Sequence, residues 1–489
     1  MHVRHFKNIL FLLIVSLIGV AVISPAPPAF SKDLQAHDIK HGKQTLYAPD
    51  EMGPYNVGIR TFENVPVFGP ALPRIQVYYP TLSQPNCQTT YTITGVGGTY
   101  LRSSPLCAVQ NASPAPGKFP LVVHSHGGGG PGADQQRLSQ LPVHETLASH
   151  GFVIVVPRHN GNTPPPAAPG FRRVRDLPLV IDYMLAATNP ISASIDAERI
   201  GLSGFSTGGR TSLAVAGGWA SQGISADARI KAMVLYEPGR DSSLEDVATI
   251  DIPYLAMGGT RIENGTVIVP ELFETTVLAT PRIYVKNQEA IHFNYQTDLC
   301  GSIEETREAA LNGDPSLRDP VTGELLIEPL TNMIPNPANP NLRICNPAMG
   351  AAGNQACTFW NQGEVVVPLL PPTQAFGFGG GRNVCTRIGA DSGESLDVDP
   401  VDGLTDDFVP GTDIRLFEAN DRFNYAGQNP DGDPSPIPSE EFVPMVKLYT
   451  VAFFKKFLAG DGRYMRFLTP GYADRNDLQA TVTIVDEDG

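Results

Sequence analysis

Residues 199–218, "RIGLSGFSTGGRTSLAVAGG", constrain the fold more than any other stretch of this 489-residue chain. A short apolar run leads directly into small residues, and Gly204-Phe205-Ser206-Thr207-Gly208 occupies the joint. Read as strand, turn and helix, the joint is so tight that Gly204 and Gly208 are needed to avoid side-chain clashes. A serine there stands clear of the sheet at the helix N-terminus, where free N–H groups and the positive helix end favour a developing negative charge. G-x-S-x-G also arises by chance in a chain with 48 glycines, so its surroundings must decide its meaning.

Those surroundings have a rhythm. "RIQVYYP" (74–80) alternates as a strand does. "FPLVVHSHGGGG" (119–130), "FVIVVP" (152–157), "IKAMVLYEP" (230–238), "IPYLAMGG" (252–259) and "RIYVKN" (282–287) carry compact apolar runs. Between them lie helical stretches, "LPVHETLASHG" (141–151) and "RRVRDLPLVIDYMLAA" (172–187), the latter in spite of Pro178. Strands apolar on both faces and alternating with helices predict an α/β protein, its mostly parallel sheet covered on both sides. From about 294 to 440 the rhythm stops in a segment rich in Pro, Asn, Gly and Asp, expected to be a loop-rich insertion or lid. It resumes in the amphipathic "VPMVKLYTVAFFKKFL" (443–458), with Lys447, Lys455 and Lys456 off the apolar stripe. The expected organisation is a signal at 1–31, a first core part at 32–293, the insertion at 294–440, and a closing helix and tail at 441–489.

Arg4 and Lys7 precede an apolar run from Ile9 to Ile23, and small residues follow up to Ser31. That is the layout of a cleaved export signal, the run being shorter than the roughly 20 residues of a spanning helix. The mature chain is expected to be secreted or periplasmic, with no stable membrane anchor. Six cysteines fit an oxidising compartment. Cys87 and Cys107 flank one polar loop and are expected to pair, whereas Cys300, Cys345, Cys357 and Cys385 allow three connectivities. No C-x-x-C pair suggests zinc. The Asp-rich "DVDPVDGLTDD" (397–407) departs from the EF-hand spacing and reads as a solvated loop. Asn111 and Asn264 head glycosylation sequons. A net charge of −15 argues against a nucleic-acid partner, since no basic stripe can neutralise phosphates.

Reacting groups in an open parallel sheet gather at the carboxyl ends of the strands. Ser206 ends one strand, and "HSHGGGG" ends another. The Thr207 N–H and the Gly128 N–H are then candidates for an oxyanion hole. Of ten histidines only His292 follows Ser206, just past "RIYVKN", where a base must lie if the order is serine, acid, histidine. Two acids compete. Glu237 closes the apolar "AMVLYEP", where a carboxylate is costly unless paired; Glu263 sits in the later polar loop "GGTRIENG". No metal or organic cofactor is required.

With these residues the chain resembles the α/β-hydrolase superfamily. More narrowly, it resembles the branch with platelet-activating-factor acetylhydrolase (isoform II type), dienelactone-hydrolase-like and cutinase-like enzymes. The resemblance runs through "VYYP", "LVVHSHGGGG", "LASHGFVIVVPRHNG", "RVRDLPLVIDYML", "ERIGLSGFSTGGRTSLAVAG", "ARIKAMVLYEPG", "IPYLAMGG" and "VAFFKKFLAGDGRYMRFL". It implies a serine carboxylic ester hydrolase with Ser206 as nucleophile and His292 as base, acting on a small or lipid-like ester. The acetylhydrolase pattern favours Glu237 as the acid, and the cutinase-like pattern Glu263 after a one-residue shift. Three other readings use the same fold: an inactive binding protein with a relic site, a polyester- or cutin-type hydrolase, and a peptidase. Phe205, where His is commoner, and the span of about 150 residues between His292 and the closing helix depart from the family pattern.

Overall fold

The computed structural model describes residues 45–67, 71–95, 98–127, 140–159, 172–239, 247–259, 265–276, 278–288, 439–476 and 480–485, four short strands between 333 and 418, and a few isolated positions. In chain order, β1 (Asn56–Val65) and β2 (Leu72–Thr81) precede a hairpin of β3 (Thr90–Gly95) and β4 (Gly98–Ser103), and then a short β5 (Val109–Gln110). Next come β6 (Phe119–Ser125), α1 (Leu141–Ser149), β7 (Val153–Pro157), α2 (Arg172–Leu185), β8 (Ile195–Phe205) and α3 (Thr207–Gly217). They are followed by β9 (Ile230–Tyr236), β10 (Tyr254–Gly259), α4 (Gly265–Thr275) and β11 (Arg282–Asn287). Two small antiparallel pairs fall within the expected insertion, β12 (Met333–Pro335) with β13 (Arg343–Cys345) and β14 (Glu364–Pro368) with β15 (Ile414–Glu418). Last are α5 (Ser439–Phe457), α6 (Pro470–Arg475) and β16 (Ala480–Val485).

One ten-stranded sheet organises the protein, in the order β16-β11-β10-β9-β8-β6-β7-β2-β1-β5. From β11 to β7 the strands run parallel; β16, β2 and β1 are antiparallel to their neighbours β11, β7 and β2. The period-2 alternation of side chains divides each central strand between two apolar cores. Along β7, Val153 and Val155 enter one core, Ile154 and Val156 the other. Helices α1 and α5 cover one face through residues such as Leu147 and Phe453. Helices α2, α3 and α4 cover the opposite face through Leu177, Leu213 and Val269. This is the expected α/β-hydrolase architecture, a mostly parallel sheet with helices on both faces.

Several elements depart from the sequence expectation. The polar lead before residue 70 contains β1, whose exposed positions carry Thr61, Glu63 and Asn64 and hide its strand character. The tail contains β16, which caps the sheet edge on β11. Helix α5 is buried around more of its circumference than one stripe. Lys455 lies partly inside, its ammonium donating to the His150 carbonyl (3.2 Å) above the rings of Phe152 and Tyr464. Pro178 is accommodated within α2. Among the described residues no helix is long and apolar enough to cross a membrane. Residues 1–31, the Asp-rich loop 397–407, Asn264, and Cys300, Cys357 and Cys385 lie outside the described residues; Cys345 falls in β13, its side chain not described.

The loop between Cys87 and Cys107 folds as the β3–β4 hairpin and is closed by the expected disulfide. A buried carboxylate ties it to the core. Glu145 on α1 accepts the Tyr91 hydroxyl (2.6 Å), the Ser104 hydroxyl (2.8 Å) and the Leu106 N–H (2.7 Å). Burial pushes its carboxyl up to about 7, and those hydrogen bonds oppose the rise.

Candidate active site

Strand order sets the position of the site. The chain passes from β6 outward to β7, then returns through α2 to β8 on the other side of β6. Loops leaving β6 and β8 diverge there, and such a switch point opens a crevice at the carboxyl ends of the strands. "HSHGGGG" leaves β6 and Ser206 leaves β8, so the topology brings two separate sequence features together.

Ser206 links β8 directly to α3 with φ 54° and ψ −119°, a conformation L-residues rarely adopt. Its backbone is held on both sides. The Ser206 N–H donates to the Tyr236 carbonyl (3.0 Å); its own carbonyl accepts the N–H groups of Gly239 (2.8 Å) and Arg210 (3.2 Å). The flanking glycines have the expected reason. A Cβ on Gly204 would lie 2.3 Å from the Gly208 carbonyl oxygen, and one on Gly208 would lie 1.8 Å from the Ser125 carbonyl oxygen. Buried Phe205 fills space beneath the turn, while Ser206 and Thr207 remain partly exposed. The serine is therefore strained, fixed and reachable at the helix N-terminus, where the Thr207 N–H and the helix dipole favour an anion.

The glycine loop arrives beside it. A Cβ on Gly127 would stand 3.3 Å from the Ser206 Cβ and would strike the Phe205 ring at 2.5 Å, so only glycine allows this approach. The preceding His126 is fully buried, with Nδ1 2.7 Å from the Gly127 carbonyl oxygen. Its Nε2 accepts the His159 N–H at 3.2 Å, which assigns the proton to Nδ1 and makes the ring neutral. His159 Nε2 lies 3.0 Å from the Ser125 hydroxyl. Burial holds His159 well below the usual imidazole value, with the Arg173 charge adding to the drop, and it pulls His124 down to about 3. These histidines remain neutral parts of the scaffold. Arg173 Nη1 donates to the His126 carbonyl at 2.7 Å.

Glu237 immediately follows β9, with φ 42° and 3 % exposure. Its N–H donates to the Met257 carbonyl (3.0 Å), and its carboxylate accepts the Gly259 N–H at the end of β10. The buried acid expected from "AMVLYEP" is thus paired, one residue beyond the carbonyl that receives the Ser206 N–H. Next to Gly259 lies Ala290, whose carbonyl oxygen would be 2.2 Å from a Cβ placed there. Tyr295 is fully buried; its hydroxyl donates to Asn287 Oδ1 (2.6 Å) and its carbonyl accepts from Gln140 Nε2 (2.9 Å). Burial raises that phenol, and the neighbouring Glu237 charge raises it further. Ala290 and Tyr295 are therefore held against Gly259 and Asn287. Gly128, Glu263 and His292 themselves lie outside the described residues.

The structure brings Ser206, Thr207, Gly127 and Glu237 to one end of the sheet. Sequence reasoning missed the support behind them. Arg173 and His159 are buried polar groups, and "RRVRD" opens a stretch that reads only as a helix. Among the described residues no His, Cys, Asp and Glu cluster could hold a metal ion.

Residues 91–239, from the hairpin through Ser206 to Glu237, match the chlorophyllase family model, a family of ester hydrolases with this fold. No curated protein sequence matches the chain. Among solved structures, a ferulic acid esterase from Streptomyces cinnamoneus superposes with a TM-score of 0.36 at 19 % identity, covering 49 % of this chain and 76 % of that one.

Proposed function

We propose that this α/β-hydrolase, a carboxylic ester hydrolase by the family its core matches, works through Ser206, His292 and Glu237 on a small or lipid-like ester. The observation that carries the reading is the conformation of Ser206. A serine held at positive φ between strand and helix, beside a glycine loop at a switch point, has a strained backbone. Strain of that kind persists where chemistry needs the hydroxyl presented.

In the proposed cycle His292 takes the proton of the Ser206 hydroxyl as the oxygen attacks the ester carbonyl. The new C–O bond gives a tetrahedral oxyanion, received by the N–H groups of Thr207 and Gly128. His292 then returns the proton to the departing alcohol, leaving an acyl-serine, and water activated by the same imidazole releases the acid. Glu237 orients the imidazole and stabilises its protonated form. Its burial and its tie to Gly259 favour it over Glu263, since an acid with a fixed direction holds one tautomer better than a loop carboxylate.

Export to an oxidising compartment belongs to the same proposal. Its supports are the apolar N-terminal run behind Arg4 and Lys7 and the Cys87–Cys107 disulfide. The proposed partner is an ester substrate and not a nucleic acid. Short p-nitrophenyl esters test the chemistry. Ser206→Ala is expected to abolish hydrolysis with the fold intact, and an organophosphonate is expected to label the wild-type chain at Ser206 alone. Turnover by Ser206→Ala at the wild-type rate would overturn the assignment.

A further inference from the structure

We infer that Arg173 is a positioning residue for the oxyanion loop, an inference that rests on the serine-esterase reading above. Arg173 is 1 % exposed, among the largest fully buried side chains of the molecule. It extends the buried stripe of α2 (Val174, Leu177, Val180, Ile181, Met184) toward the switch point, joined there by buried Asp176. A guanidinium is kept in such a place only where acceptors and counter-charge meet it. Asp176 supplies counter-charge, and the His126 carbonyl is a direct acceptor at 2.7 Å. Burial, with the nearby Arg210 charge, pulls Arg173 down to about 9, so it remains a cation at neutral pH.

The bonded carbonyl is not an arbitrary one. The His126–Gly127 peptide is trans, so holding its C=O also fixes the Gly127 N–H on the opposite side. On another side the same carbonyl packs against the nucleophile helix: a Cβ on Gly208 would lie 2.7 Å from the His126 oxygen. Gly127 in turn abuts the Ser206 Cβ. The His126 ring closes a neutral tie to the Gly127 carbonyl, while the bond from Arg173 is charge-assisted and stronger. Arg173 therefore sets the relation between the glycine loop and the serine. With Gly127 held in advance, the surroundings of Ser206 need not reorganise as negative charge develops, and a buried cation behind them lowers the energy of that charge. Both effects act on the transition state and leave ground-state binding nearly unchanged.

The test uses the full-length protein with p-nitrophenyl butyrate and an organophosphonate. Arg173→Gln is expected to lower kcat by about 10²-fold, the scale of a lost oxyanion donor, with KM changed less than about threefold. Phosphonylation of Ser206 should slow by a similar factor, because it builds the same oxyanion. Arg173→Lys, which keeps the charge but not the planar fork, should regain part of both rates; if the glutamine variant fails to fold, the lysine variant must still show the joint loss. A kcat within threefold of wild type in the folded variants, a change in KM alone, or lost turnover with unchanged phosphonylation would overturn the role of Arg173. A wild-type chain that neither hydrolyses the ester nor is phosphonylated would instead overturn the serine-esterase reading itself.

Discussion

Ser206 at φ 54° and ψ −119° gives a prediction independent of substrate. Replace the serine by alanine and, separately, by glycine. Both variants lack the hydroxyl, so both are inactive and chemistry does not distinguish them. Both keep the backbone ties to Tyr236, Gly239 and Arg210. Alanine keeps a Cβ in a conformation that costs on the order of 1–3 kcal/mol, whereas glycine adopts it freely. Against this, glycine gives the unfolded chain extra freedom worth about 0.5–1 kcal/mol. At the middle of both ranges Ser206→Gly is more stable than Ser206→Ala by about 1.2 kcal/mol. At about 2–4 °C per kcal/mol for a domain of a few hundred residues, the glycine variant should melt about 2–5 °C higher. Scanning calorimetry on the pair, with urea midpoints as a second measure, reads the difference directly. An alanine variant that melts at the same temperature or above would show that the turn stores no strain, and the argument from conformation to nucleophile would fall.

Two further predictions concern buried carboxylates. Glu145 holds its proton to about pH 7 in the folded chain against its ordinary 4.5, so between those values the folded state binds more protons than the unfolded one. Stability should therefore fall as pH rises from about 4.5 to about 7, by on the order of 3 kcal/mol from this group, and level off above. Urea unfolding across that range should show the wild-type slope flattened in Glu145→Gln, and identical slopes would refute the assignment. Glu237→Gln should preserve the fold yet lower kcat by roughly 10³-fold or more, because the imidazole loses its tautomer-fixing partner. Steady-state kinetics with a short p-nitrophenyl ester checks it, and a loss below tenfold would point to Glu263 instead.

The central strands were legible because burial on both faces leaves mainly apolar residues, as in "VIVVP" and, apart from exposed Lys231, "IKAMVLY". Strand β1 was not, because it is second from the sheet edge and exposes Thr61, Glu63 and Asn64 between its buried valines and isoleucine. The hairpin β3–β4 was overlooked inside a loop defined by its cysteines, and β16 was hidden in a short alternating tail. At the site, Ser206 and Glu237 were readable from position, each closing an apolar strand. Arg173 was not readable, since its partner is a backbone carbonyl 47 residues away and no spacing rule anticipates such a bond.

Strand β16 bears on how the protein tolerates its longest excursion. β11 ends at Asn287, which pairs with Ala480, so the sheet is completed by residues nearly two hundred positions apart. Once that edge and α5 are in place, the intervening chain is a closed loop whose entropic penalty grows only with the logarithm of its length. Doubling or halving it changes the penalty by about 0.6 kcal/mol. The 294–440 segment can therefore be lengthened, shortened or exchanged with little effect on the stability of the sheet.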